Sequence, residues 1–285
     1  FGFDYWPMEL FKLKNKPAPA QLDGHIIIVT GAGSGIGRGV ALELAKRGAH
    51  LVLADIEEAG LHEVEKEFAD NKCNPPLLVL GDQSKEADVQ ATVTRTIKHF
   101  GGLDGVVINA GIGISDKLED LDVEKWRRGL DINLSSAFML TKESMKVMRK
   151  QKMGGSLVYI ASKNAFSPGA GFGGYSVSKA GMLQLMRIAA LEGGNAGIRC
   201  NGINPDAVFD NSKLWAGGIR EQRAAAHGVK PEDLEDFYAS RNLLNARVRS
   251  LDVARAAAFF LSDESSRTTG SVIAVDGGVA AAFPR

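Results

Sequence analysis

Seven short runs of β-branched and aliphatic residues punctuate this chain, at residues 25–30, 49–55, 76–82, 103–109, 156–161, 198–204 and 272–275. Most are nearly continuous hydrophobics rather than apolar/polar alternation, the pattern of strands covered on both faces of a parallel sheet. Between them, residues 36–47, 57–70, 85–100, 123–150, 175–195 and 251–262 carry the apolar spacing of amphipathic helices. Parallel neighbours need crossover connections, and helices fill the gaps. The chain is therefore expected to form an α/β doubly wound fold: a seven-stranded parallel sheet with helices on both faces. One domain over residues 22–285 accommodates the pattern, since single α/β domains of about 250 residues are routine.

Charge and composition exclude several functions. Among 285 residues, 34 Lys and Arg balance 34 Asp and Glu. The basic excess by which nucleic-acid binders attract phosphates is absent. Every apolar run falls far short of the roughly 20 residues of a membrane span, and no secretory signal opens the sequence. Nucleic acid and membrane are thus not expected as partners; a small-molecule substrate is. Cys73 and Cys200 are too few for a disulfide framework and fit a reducing, cytoplasmic compartment. His25, His50, His62, His99 and His227 are scattered without metal-ligand spacing, so no metal site is expected.

Two segments break the rhythm. Residues 1–21 form an aromatic arm and linker, holding Phe1, Phe3, Tyr5, Trp6 and Phe11, five of the chain's twenty aromatic side chains. Such an arm needs a surface, on this domain, a second subunit or another domain. The first residue is phenylalanine rather than methionine, as expected of a piece of something longer. Residues 206–245 lie between the sixth and seventh strands and have helical pattern with charged faces. An insertion there lies near the carboxyl ends of the strands, where such sheets bind ligands, and is expected to be the substrate lid.

The first strand runs into Thr30-Gly31-Ala32-Gly33-Ser34-Gly35-Ile36-Gly37 and then a helix. A glycine-rich turn at a helix start brings backbone N–H groups and the helix dipole close to a pyrophosphate. The second strand ends at Asp55, where a carboxylate would accept both hydroxyls of an adenosine ribose and repel a 2′-phosphate. With Ser34 rather than a basic residue before Gly35, NAD is the expected cofactor. Asp82 and Gln83 at the end of the third strand are candidates to hydrogen-bond the adenine, and Asn109-Ala110-Gly111 after the fourth puts small residues where backbone passes the cofactor. Each of these also suits ordinary turn chemistry. Their alignment on one edge of one sheet favours the shared role.

Tyr175-Ser176-Val177-Ser178-Lys179 opens a long helix, and the i, i+4 spacing puts phenol and ammonium on one face. An adjacent ammonium and a positively charged nicotinamide both favour the phenolate, so the tyrosine pKa is expected to fall toward the working range. Ser162 stands thirteen residues earlier, at the end of the fifth strand.

Thr30-Gly31-x-x-x-Gly35-x-Gly37, Asn109-Ala110-Gly111, Asn133, Ser162 and Tyr175-x-x-x-Lys179, in this order, resemble the short-chain dehydrogenase/reductases, over about residues 22–278. The resemblance implies a Rossmann fold with Tyr175 as general acid/base and Ser162 orienting the substrate oxygen. It implies that Lys179 binds the nicotinamide ribose and lowers the tyrosine pKa, and that Asn133 holds a water linking Lys179 to solvent. Pro205 and Val208 join the expected cofactor contacts, and Ser162 and Asn164 the substrate contacts. A homo-oligomer, dimer or tetramer, is implied too, built from the helices at 123–150 and 175–195 and the last strand. The apolar tail at 279–284 would lie near a subunit boundary. One departure stands out: the family usually has Pro-Gly after the sixth strand, whereas here Pro205 precedes Asp206. Asp206 is either a contact to a substrate hydroxyl or a solvated turn residue.

The flanks, at residues 3–10, 204–209 and 276–285, are similar to a narrower subgroup, the C-terminal dehydrogenase module of bifunctional rhamnulose-1-phosphate aldolase/alcohol dehydrogenases. That implies a covalently linked N-terminal aldolase domain in the parent protein and L-lactaldehyde, from rhamnose catabolism, as substrate. Reduction to propane-1,2-diol and oxidation of the hydrate to lactate both remain open. The alternatives are a sugar or polyol dehydrogenase, or a catalytically silent NAD-binding or oligomerisation module.

Overall fold

The computed structural model describes residues 20–216 and 218–283. The expectations for the aromatic arm at residues 1–19 and for Pro284 and Arg285 fall outside that range. Seven strands form, β1 (Ile26–Thr30), β2 (His50–Asp55), β3 (Leu77–Leu80), β4 (Gly105–Ile108), β5 (Gly155–Ile160), β6 (Ile198–Pro205) and β7 (Val272–Val275). Their order is β3-β2-β1-β4-β5-β6-β7, with every neighbouring pair parallel. The order reverses between β1 and β4, and a crevice opens at the carboxyl ends of strands at such a point.

Nine helices accompany the sheet among the described residues: α1 (Gly35–Lys46), α2 (Glu58–Asp70), α3 (Glu86–Phe100), α4 (Val123–Leu130), α5 (Ser136–Gln151), α6 (Gly173–Gly193), α7 (Ile219–His227), α8 (Leu234–Ser240) and α9 (Ser250–Leu261). The continuous hydrophobic runs have a direct cause. Ile27 and Val29 of β1 belong to a core shared with α1, α2 and α9, while Ile28 between them belongs to a second core shared with α3, α5 and α6. Successive side chains point to opposite faces, so a strand covered on both sides has no polar position to spare. No described helix is long and apolar enough to cross a membrane.

Two local departures from the sequence pattern bear on the site. The single helix expected over 123–150 is broken by a π-helical turn at Asp131–Ser135. The wider turn carries the fully buried Asn133, whose side chain meets backbone from another loop. Such bulges concentrate at functional sites. The third strand stops at Leu80, because the Asp82 N–H turns away to the Asp88 carboxylate at 2.8 Å.

Residues 206–245 hold α7, α8 and short 3₁₀ turns, as their helical pattern suggested. They carry a small apolar cluster of their own around Ala224, Leu234 and Tyr238, in which the Phe209 and Trp215 rings stack at 4.2 Å.

Candidate active site

The glycine turn after β1 is shaped by contacts that tolerate no side chain. Gly31 has φ +63°, and a Cβ there would meet Asn109 Nδ2 at 2.9 Å. A Cβ on Gly37 would come within 2.0 Å of the Gly31 carbonyl oxygen. Gly37 thus supports the turn from beneath and is not in the lining of the cleft, while Gly31, Ser34, Gly35 and Ile36 are. Asn109 ties the end of β4 to the turn, its Nδ2 donating to the Thr30 carbonyl at 2.9 Å and the Gly31 carbonyl at 3.2 Å. Thr30 Oγ1 accepts from the N–H groups of Asn109 and Ala110. Residue 211 reaches over the turn, where its carbonyl accepts the Gly35 N–H at 2.7 Å.

Asp55 is held in place by two backbone donors. Its Oδ2 accepts from Gly33 N–H at 2.8 Å and its Oδ1 from Glu57 N–H at 3.0 Å. A carboxylate offers about four lone-pair sites, so acceptor capacity remains toward the cleft that Asp55 lines. Asp82 also lines the cleft, with Ser84 hydrogen bonds holding its pKa below the usual carboxylate value. Gln83 is buried beside it: its Nε2 donates to Thr92 Oγ1 at 3.1 Å, whereas its Oε1 has no partner among the described residues.

At the other end, the start of α6 presents Tyr175 and Lys179 together, both buried, as is Ser162 at the end of β5. Ser162 Oγ accepts the Asn164 N–H at 3.2 Å, and both Ser162 and Tyr175 line the cleft. Lys179 Nζ donates to the Ile160 carbonyl at 2.8 Å and lies 5.8 Å from the centre of the tyrosine ring. Asn133 stands behind this group and outside the cleft lining. Its Oδ1 accepts the Ile112 N–H at 2.8 Å, and its Nδ2 donates to the Ile112 carbonyl and to Ser178 Oγ, both at 3.0 Å. Ser178 in turn donates to the Tyr175 carbonyl at 2.7 Å. Asn133 is therefore a strut between the loop after β4 and the helix that carries the tyrosine. A Cβ on Gly111 would lie 3.1 Å from Asn133 Oδ1 and 3.5 Å from Lys179 Nζ, so a side chain there would press on Asn133 and narrow this passage.

The electrostatics depart from the sequence expectation. Burial pushes the Tyr175 phenol up to about 12; Ser162 opposes the shift and the Asp206 charge adds to it. Lys179 is itself pushed down to about 8 by burial. Within the polypeptide alone, desolvation outweighs the attraction of the ammonium for a phenolate.

A cleft of about 490 Å³ joins the two ends, and brings together Gly31, Ser34, Gly35, Ile36, Asp55, Asp82, Gln83, Asn109, Ala110, Gly111, Ser162, Asn164, Tyr175, Lys179, Pro205, Asp206 and Val208. Asp206 is not a solvated turn residue: its side chain is 5% exposed and pairs with Arg241 at 3.1 Å. Burial raises its pKa and Arg241 opposes the shift. Sequence reasoning missed Lys163, Phe172, Trp215, Arg223 and Tyr238, which wall the same end. Lys163 sits between two residues already singled out; the others have no sequence signal beyond helical pattern.

A family model described as enoyl-(acyl carrier protein) reductase matches residues 31–280. The uncharacterized oxidoreductase YuxG of Bacillus subtilis is 38% identical over the whole of this chain, which spans 42% of that relative's length. Levodione reductase of Leifsonia aquatica is 31% identical over 91% of the chain and 95% of its own length. A crystal structure of levodione reductase superposes with a TM-score of 0.85, at 31% identity over 92% of this chain and 100% of that one.

Proposed function

The chain belongs to the short-chain dehydrogenase/reductase family of oxidoreductases, and on that premise we propose that it transfers hydride between NAD(H) and a small alcohol or hydroxy-aldehyde. The observation that carries this reading is one cleft with the glycine turn and Asp55 at one end and Ser162, Tyr175 and Lys179 at the other. A nicotinamide cofactor, when bound, supplies the hydride acceptor or donor. The glycine turn fits such a group, because a Cβ at Gly31 or Gly37 would fill or deform the cradle. Asp55 would hold the adenosine ribose hydroxyls and disfavour a 2′-phosphate, which supports NAD over NADP.

Tyr175 is the group that moves the proton. In alcohol oxidation its oxygen accepts the hydroxyl proton, while Ser162 donates a hydrogen bond that orients the substrate oxygen. A phenol held near 12 is almost wholly protonated at neutral pH, and a positive charge brought close to it in the bound state would lower its pKa and let it accept the proton as phenolate. Lys179, fixed by the Ile160 carbonyl, would reach the nicotinamide ribose and contribute to that shift. Buried Cys200, pushed up to about 12, remains a thiol packed in the sheet and supplies no thiolate.

The finer reading is L-lactaldehyde as substrate, in rhamnose breakdown. It is supported by the flanking segments at residues 3–10, 204–209 and 276–285, and by the extra length of YuxG, which leaves room for a second domain such as an aldolase. Exposed Phe138 on α5 and Val177, Ile188 and Leu191 on α6 support a homo-oligomer. The two thiols, one buried and one half-buried, suit a cytoplasmic setting.

The test is NADH formation at 340 nm with a panel of small alcohols, diols, hydroxy acids and L-lactaldehyde. Turnover is expected, and Tyr175→Phe should lower kcat by roughly 10²- to 10⁴-fold while NADH still binds. Equal turnover by Tyr175→Phe would refute the assigned role.

A further inference from the structure

The substrate end of the cleft carries more positive charge than its own carboxylates neutralise. Lys163 and Arg223 both line it, and neither forms an ion pair among the described residues. Arg223 is 8% exposed, yet its guanidinium has no carboxylate: it donates to the Ala170 carbonyl at 3.1 Å, meets His227 Nε2 at 3.0 Å and lies 5.2 Å from the centre of the Phe172 ring. Lys163 Nζ has no hydrogen-bond partner among the described residues. The nearby acids compensate this charge only in part. Asp206 pairs with Arg241, and Asp276 accepts the Gly278 N–H at 2.8 Å. Three cations thus stand against two carboxylates in a partly desolvated wall, where an uncompensated charge is costly.

The surrounding groups register that surplus. His227 is pushed down to about 4, first by burial and then by Arg223, Arg241 and Lys163 together. It therefore stays neutral and accepts the Arg223 hydrogen bond instead of adding charge. The Lys163 pKa is lowered by burial, with Asp206 and Asp276 opposing the shift and Arg241 and Arg223 adding to it. A guanidinium fixed against an aromatic ring and an unpaired ammonium in the same cleft wall suit a small oxyanion.

We propose that the substrate alcohol carries a second, anionic group, a carboxylate or a phosphate, which Lys163 and Arg223 hold while the hydroxyl carbon lies at Tyr175 and Ser162. The proposal rests on the hydride-transfer reading above and departs from its finer part, setting an anionic alcohol in place of neutral L-lactaldehyde as the expected substrate. A hydroxy acid or phosphorylated polyol would complete the charge balance of the pocket. L-lactaldehyde is neutral and gains nothing from these two cations, so it serves as an uncharged reference.

The experiment compares kcat/KM for pairs that share a carbon skeleton: 3-hydroxybutyrate with butane-1,3-diol, lactate with propane-1,2-diol, and glycerol 3-phosphate with glycerol. Lysine hydrogen bonds to an anion are strong enough that the charged member should be preferred by about tenfold or more. The first two pairs test a carboxylate and the third a phosphate. Lys163→Met should shrink the preference about tenfold through KM, and Lys163→Arg should keep most of it. NADH fluorescence checks that each variant still binds cofactor. Wild-type inhibition by butanoate against butanol tests the same receptor without any substitution: the anion should compete with substrate more strongly. Neutral members turned over as well as charged ones, or a preference that survives Lys163→Met, would overturn the anion site and leave hydride transfer standing. NADH binding without turnover of any panel member would overturn the hydride-transfer reading itself.

Discussion

Replacing Asn133 by alanine separates a structural strut from a group in the reaction. The side chain makes three hydrogen bonds, two to the Ile112 backbone and one to Ser178. Removing it orphans the Ile112 N–H and carbonyl, while Ser178 keeps its bond to the Tyr175 carbonyl. A net hydrogen bond contributes about 1 kcal/mol and an orphaned buried group costs about 1–3 kcal/mol. Ile112 is half-buried, so water relieves part of that cost, and the vacated volume adds a small cavity term. The expected loss is about 2–4 kcal/mol. At about 3 °C per kcal/mol for a chain of this size, Tm should fall by roughly 6–12 °C. Urea unfolding followed by tryptophan fluorescence measures the same quantity at constant temperature. The loop after β4 borders Lys179, so kcat should fall as well. A midpoint shifted by less than about 0.5 kcal/mol, whatever happens to kcat, would show that these bonds do not brace the site.

Asp55→Ala should reduce kcat/KM for NAD by about 10- to 100-fold, the range of a hydrogen bond to a charged group, and narrow the gap to NADP; steady-state kinetics with both cofactors would show an unchanged ratio if Asp55 plays no part. Lys179 gives a pH signature. Its folded pKa, about 8, lies below the unfolded 10.5, so the unfolded chain binds more protons between those values. This group therefore penalises the folded state below about pH 8, and stability should rise as pH climbs from 8 toward 10.5. Urea midpoints across that window should lose this rise in Lys179→Met, and parallel curves for the two proteins would count against the shift.

What could be read from residues alone followed from burial on both faces. The runs around Ile28, Val52 and Val106 had no polar alternation because the sheet has no wet face, and that alone implied parallel strands with crossover helices. Asp55, Asn109 and Tyr175 were legible because strand ends and a helix start fixed their placement. The π-helical turn was not, since it depends on Ile112 reaching Asn133 from a distant loop. The upward shift of Tyr175 in the chain alone is not legible, because spacing reveals a neighbouring ammonium but not the depth of burial around both groups. Arg223 left no mark either. An arginine on a short charged helix looks like any solvated face until Phe172 comes up against it. Gln83 was legible as a position, but not in the turn of its amide nitrogen toward Thr92.

The stacked Phe209 and Trp215 rings, with Tyr238 beside them, give the insertion an apolar centre distinct from the two that sandwich the sheet. Side chains facing the reacting carbon can consequently be exchanged without disturbing the residues that hold β1 against β4. The selectivity of such a chain is a detachable property: grafting a different segment over residues 213–245, with Asn211 left on the glycine turn and α9 left in the core, should redirect turnover while the cleft around that turn keeps its shape.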